Sequence, residues 1–264
     1  MAASTIKLYT NHACPWAHRA HIALAELQLP FEEEIIDLSV PRTPEYLKIN
    51  PRGLVPSLEF SGEILTESAI ISNFLADAFP SHLLPVSNAP GGALLRARIA
   101  FFVDSFISKV NSNFFKAQFA KTDEEVESFV QEYVGAVVKD IEPLLGNAAP
   151  FFNGSDKLTQ AEVLTGSFVL RLFTLPKHGV LPKHILSDLS AKAPNFYRWG
   201  QAVSKHPSVL GIYDEENIVA RTKERLAKLT ACGSPFATPP HLQHDSHQNS
   251  TFCNSNNFTN TRDI

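Results

Sequence analysis

At 264 residues, with 44% hydrophobic and 19% charged residues, the chain can bury a proper core and hold one large or two modest domains. A net charge of −4 argues against a nucleic-acid or anionic-membrane surface, and no apolar run approaches the ~18–20 residues of a membrane span. Three cysteines, Cys14, Cys232 and Cys253, give no disulfide framework, and Met1 to Thr5 lack the regions of a signal peptide, so a reducing, cytoplasmic home is expected.

Ile6 and Leu8 alternate with Lys7 and Tyr9, the pattern of a short half-buried strand. A polar turn follows, and then Ala17, Ala20, Leu24 and Leu27 recur at helical spacing. Pro15 suits the first helical position, which places Cys14 at the N-cap, facing unpaired amides and the positive end of the helix dipole. A thiolate is stabilised there, and such cysteines have pKa values of roughly 3.5–7.5. Arg19, one turn on, adds to this. The second position of a C-x-x-C pair is Ala17, so Cys14 would form a mixed disulfide with an external thiol rather than an internal bond. The competing reading makes Cys14 a small buried hydrophobe; the strand–turn–Cys–Pro–helix setting favours the first.

A second strand is expected at 31–37, where Glu32, Glu33 and Glu34 suggest an edge. Thr43-Pro44-Glu45 opens a short helical turn through Tyr46 and Leu47. The segment Asn50 to Phe60 leads into a third strand, which Ser61-Gly62 turns into a fourth at 63–66; a helix then starts at Glu67-Ser68 and stops before Pro80. The order is β-α-β-α-β-β-α, a small mixed four-stranded sheet with helices on its faces. Pro56 belongs at a strand edge. A cis Val55–Pro56 bond would turn the Val55 main chain outward to pair with an extended peptide; an ordinary trans proline would not. Glu67 and Ser68 would form a carboxylate site at a helix N-terminus, or serve only as a cap.

The expected divisions are an α/β domain over 1–84, a linker over 85–92, an all-helical domain over 93–229 and a disordered tail over 230–264. Leu95, Ile99, Phe102, Val103, Phe106 and Val110 make one helical stripe. Thr122-x-x-Glu125 and Thr159-x-x-Glu162 read as capping boxes. Phe101, Phe114, Phe115 and Phe119 fall partly off the stripe; Phe114, Phe115 and Phe119 are the candidates for lining an apolar substrate pocket, against core or interface roles. His241, His244 and His247 in the polar tail read as solvated, and no metal is expected.

Together these residues resemble the cytosolic glutathione transferases, and the cysteine-type omega class most closely. The similarity rests on Cys14-Pro15-Trp16-Ala17-His18-Arg19, on Asn50-Pro51-Arg52-Gly53-Leu54-Val55-Pro56 and on Glu67-Ser68, and runs from about Ile6 to Leu229. The resemblance implies a thioredoxin-like first domain, glutathione as substrate, and a homodimer. It implies Cys14 as the nucleophile, Trp16 as the aromatic beside the thiol, Val55 and Pro56 along the cysteinyl part of glutathione, and Glu67 and Ser68 on its γ-glutamyl end. Omega proteins often carry a lysine just before the proline of the second helix; here Thr43 stands there, with Arg42 as a weak substitute. The implied activity is a thiol transferase or reductase working through a Cys14–glutathione mixed disulfide on a small apolar or aromatic partner. Glutathionyl-quinone reduction, glutathione conjugation in aromatic secondary metabolism, and a non-catalytic binding module are the alternatives.

Overall fold

The computed structural model describes residues 5–231. Four strands, β1 (Ile6–Thr10), β2 (Glu32–Ile35), β3 (Ser57–Phe60) and β4 (Glu63–Thr66), form one sheet in the order β2-β1-β3-β4. β1 and β2 pair in parallel, as the intervening helix α1 (Pro15–Glu26) requires. β3 runs antiparallel to both β1 and β4, with Leu8 opposite Leu58 and Leu58 opposite Leu65. The acidic β2 is an exposed edge, as its composition suggested. Pro56 is not an edge-strand residue. β3 lies inside the sheet and begins one residue later, so the proline sits where no ladder donor is needed.

One sheet face meets α1 and α3 (Ser68–Ala78), where Leu8, Leu24, Leu58, Ile71 and Leu75 are fully enclosed. Burying each such side chain stabilises the fold by about 2 kcal/mol. On the other face α2 (Pro44–Ile49) brings Tyr46 against Tyr9, their ring centroids 5.9 Å apart. Thr43 caps α2 by accepting from the Tyr46 N–H at 3.2 Å.

The second half is helical: α4 (Gly92–Ser105), α5 (Ser112–Phe119), α6 (Asp123–Ala136), α7 (Gln160–Thr174), α8 (His184–Lys192), α9 (Pro194–Lys205), α10 (Pro207–Leu210) and α11 (Glu215–Ala231). The single stripe expected from Leu95 to Val110 is not one α-helix, because Phe106–Asn111 winds as a π-helix, and so does Val137–Ile141. The apolar spacing supplies the reason. Phe102, Phe106, Val110 and Phe114 are four residues apart, and in a 3.6-residue helix such a row drifts around the axis. Wider turns keep all four in the core, each at most 2% exposed. Tyr133, Val137, Ile141 and Leu145 repeat the same spacing and burial.

Helix α7 is buried along its whole length. Thr159 and Glu162 form the expected capping box at its start. Glu162 does more: Oε2 accepts from the Thr159 N–H (2.8 Å) and hydroxyl (2.7 Å), and Oε1 accepts from the Phe152 N–H (2.8 Å) and the Trp199 indole (2.7 Å). At α6 only half of the expected box forms. Thr122 accepts from the Glu125 N–H, but the Glu125 carboxylate turns to the Lys121 N–H.

No helix among the described residues is long and apolar enough to cross a membrane. Cys232, Cys253, His241, His244, His247 and the rest of the expected tail beyond Ala231 lie outside the described residues.

Candidate active site

Cys14 takes the N-cap position of α1 with extended backbone (φ −80°, ψ 119°), and Pro15 opens the helix. An Asn11 turn sets its approach: the Asn11 carbonyl accepts from the Cys14 N–H at 3.0 Å, while the side chain accepts from Ala13 N–H and donates to the Ile36 carbonyl. Cys14 is free and partly exposed, and its Sγ lies 4.0 Å from the Val55 carbonyl oxygen. The Val55–Pro56 peptide bond is cis. Tyr46 and Asn50 both donate to the Leu54 carbonyl, bracing this segment from α2.

Three arginines surround the thiol. Arg19, 3% exposed, lies over the Trp16 ring (4.5 Å) and the Phe168 ring (5.1 Å) and donates from Nη1 to the Ser68 hydroxyl at 3.2 Å. Its Nε and Nη2 have no hydrogen-bond partner among the described residues. Arg171 donates to the Ser167 and Ala13 carbonyls at 2.8 and 3.1 Å and lies over the Tyr213 ring. Arg225, from α11, lies over the Phe119 ring at 5.1 Å. Among the described residues none of the three forms an ion pair with a carboxylate. Burial lowers the pKa of each, that of Arg19 to about 9, and a Cys14 thiolate works against that lowering in all three.

The thiol itself corrects one expectation. Burial is the strongest influence on Cys14 and pushes its pKa up, above the range proposed from its helix position. The Ala17 and Trp16 amides, then the Arg171 and Arg225 charges, pull it down by less. Position at a helix head shows only the amides; the desolvation of the thiol comes from segments elsewhere in the fold.

Ser68 and Glu67 sit at the head of α3, and the Arg19–Ser68 hydrogen bond ties that head to α1. Glu67 holds a left-handed φ of 72°, a conformation that costs a non-glycine residue of order 1–3 kcal/mol and clusters at functional sites. Its carboxylate pairs with Arg52. Helix α1 and its cap thus meet both segments, Cys14 at Val55 and Arg19 at Ser68. Arg42 is engaged elsewhere: it donates to the Gly53, Asp37 and Val40 carbonyls and so fastens the loop before α2.

The phenylalanines part company. Phe114, expected as a pocket candidate, is instead core: at 2% exposure it packs on Tyr133, because the π-helical turns before it rotate it inward. Phe115 is also buried, edge-on to Phe168, which in turn meets Trp16 at 4.8 Å. Phe119 keeps a partly exposed face under Arg225. A cavity of 670 Å³ between α3, α4 and α7 reaches Arg19 but is not lined by Cys14.

His18, fully buried and stacked on Tyr213, has Arg171 Nη1 3.5 Å from its Nδ1. Burial first, and the Arg171 charge next, hold its pKa well below 6.5. An unfolded chain takes up a proton near pH 6.5 that folded His18 refuses. This contribution to stability is therefore complete above that pH and is lost as pH falls below it, by up to about 1.4 kcal/mol per pH unit. Urea unfolding at pH 7.5 and 5.5 should show the drop; His18→Gln should make it smaller without abolishing it, since burial also holds the pKa of His21 at about 4.

Residues 13–78 match the family of the glutathione S-transferase N-terminal domain. The chain is 28% identical over 235 residues to glutathione S-transferase omega-1 of Mus musculus, covering 88% of each chain. It is 35% identical over 121 residues to glutathione S-transferase GST-4.5 of Xanthomonas campestris; that match takes in 44% of this chain and spans only 55% of the relative. In structure it resembles glutathione transferase Omega 2C of Trametes versicolor, with a TM-score of 0.71, 27% identity, and 85% of this chain and all of that one covered.

Proposed function

Because this chain belongs to the cytosolic glutathione transferase superfamily, on its omega-like side, we propose that it is a glutathione-dependent thiol transferase that works through a Cys14–glutathione mixed disulfide. The observation that carries the reading is the thiol at the head of α1, with no cysteine at position 17 and three guanidinium groups near it that have no carboxylate partner among the described residues.

In the first step the Cys14 thiolate attacks the glutathione sulfur of a mixed disulfide R–S–S–G. A Cys14–S–S–G disulfide forms, the S–S bond between RS and that sulfur breaks, and the leaving RS thiolate takes a proton as RSH. In the second step a glutathione thiolate attacks the glutathione sulfur of the adduct, releasing oxidised glutathione and restoring Cys14. The sum is RSSG plus glutathione giving RSH plus oxidised glutathione. The arginine charges and the α1 amides favour the thiolate both as attacking and as leaving group. Val55, Pro56, Glu67, Ser68 and Trp16 are the proposed walls of the glutathione groove, the first pair offering main chain and the second pair a helix head.

The aromatic-metabolite reading draws on the phenylalanine-rich second half, of which Phe114 and Phe115 are taken up by the core while Phe119 keeps a partly exposed face. Exposed Ile70, Leu94 and Phe101 on α3 and α4 support a homodimer, and the lack of a disulfide framework supports a cytoplasmic setting.

The test is the pH dependence of Cys14 alkylation. Since burial raises the thiol pKa, the rate should still climb above pH 8. Arg171→Met removes a charge that favours the thiolate and should move the midpoint higher. A midpoint that does not move with Arg171 would sever the thiol from its counter-charges and sink the reading.

A further inference from the structure

We propose that His12, His21 and Glu33 form a binding site for a divalent cation of the zinc type, beside the loop that delivers Cys14. The three side chains come from three elements: the turn after β1, the middle of α1, and the exposed strand β2. One ligand atom from each lies within 4.8 Å of the others. His12 Nε2 is 2.9 Å from Glu33 Oε2, and His21 Nε2 is 4.0 Å from the same oxygen.

Zinc bonds to nitrogen and oxygen are about 2.0–2.2 Å, which in a tetrahedron puts ligand atoms roughly 3.3–3.6 Å apart. The two distances straddle that spacing. Two imidazoles and one carboxylate are a donor set that zinc takes with its fourth position left open. The Thr10 hydroxyl, hydrogen-bonded to His21 Nε2 at 2.8 Å, would give up that nitrogen to the ion.

The rigid and movable partners are divided usefully. The His21 side chain is only 4% exposed, and its ring is pinned edge-on by both Phe31 (5.7 Å) and His12 (5.2 Å). The His12 and Glu33 side chains are 39% and 37% exposed and can open by a few tenths of an ångström. A surface ion pair would account for His12 and Glu33 alone. The buried His21 imidazole, hydrogen-bonded through Nε2 to Thr10, faces the same carboxylate from beneath at 4.0 Å. A bound cation would tie β2 to the turn whose Asn11 carbonyl holds the Cys14 N–H.

The test uses the full chain carrying Cys14→Ser, so that the thiol contributes no ligand, and titrates it with Co²⁺ and then Zn²⁺. One cobalt per chain should bind with the strong visible bands of a tetrahedral centre, and zinc should displace it. His12→Ala and Glu33→Gln change exposed side chains and should each weaken zinc binding at least about tenfold and remove the bands. Absence of binding in the Cys14→Ser chain would overturn the proposal. So would binding that survives both substitutions, since the ion would then rest on other groups such as His241, His244 and His247.

Discussion

Replacing Cys14 with serine is expected to cut turnover of a glutathione mixed disulfide by about a hundredfold or more, while leaving the fold intact. Cys14 is the only cysteine among the described residues, and Ala17 offers no neighbour to take over. A serine hydroxyl fits the same N-cap and is a good cap, so helix α1 loses nothing. It is not ionised near neutral pH and cannot enter a thiol–disulfide exchange. Steady-state rates with a small mixed disulfide, alongside circular dichroism of the variant, check this. Turnover that persisted at the parental rate would falsify the assignment of Cys14.

Glu162→Ala is expected to be the most damaging single change to stability, by about 3–5 kcal/mol. Its carboxylate accepts four hydrogen bonds in a site with no exposure: two from Thr159, one from the Phe152 main chain and one from Trp199. Alanine would leave those donors buried without an acceptor and open a void beneath the largest enclosed side chain, Trp199. Glu162→Gln keeps the shape but aims an amide N–H at a donor, so a loss of about half that size is expected. Since α7 carries Arg171, the alanine variant should also lose activity at temperatures where its neighbours keep theirs. Denaturant midpoints of the three proteins order the effects; equal midpoints would show that the network is dispensable.

The parts of this molecule legible in its sequence are those written in short runs. Ile6-Lys7-Leu8-Tyr9 followed by Cys14-Pro15 gives β1 and the head of α1 through alternation and a proline that only a first turn accepts. Thr159 and Glu162 mark α7 because a cap and its partner are three residues apart. Glu67 and Ser68 stand at the head of α3, although the Glu67 side chain makes no cap there. What stays hidden depends on packing between distant segments. Arg171 and Arg225 reach Cys14 from α7 and α11, and nothing around position 14 announces them. The thiol's upward shift is the sum of that packing, so a rule based on helix position alone gives the wrong direction. Phe114 looked surplus to its stripe because a uniform 3.6-residue period was assumed, whereas π-helical turns precede it. His12, His21 and Glu33 follow no ligand spacing in sequence; only the parallel pairing of β1 with β2 brings them together.

Intact-mass spectrometry of the protein incubated with oxidised glutathione, followed by peptide mapping, tests the account at its centre. One glutathione should be found joined to Cys14, removed by fresh glutathione and absent from the Cys14→Ser chain. A Cys14 that stays unmodified, while other cysteines of the chain take the label or none do, would contradict the thiol chemistry on which everything else here depends.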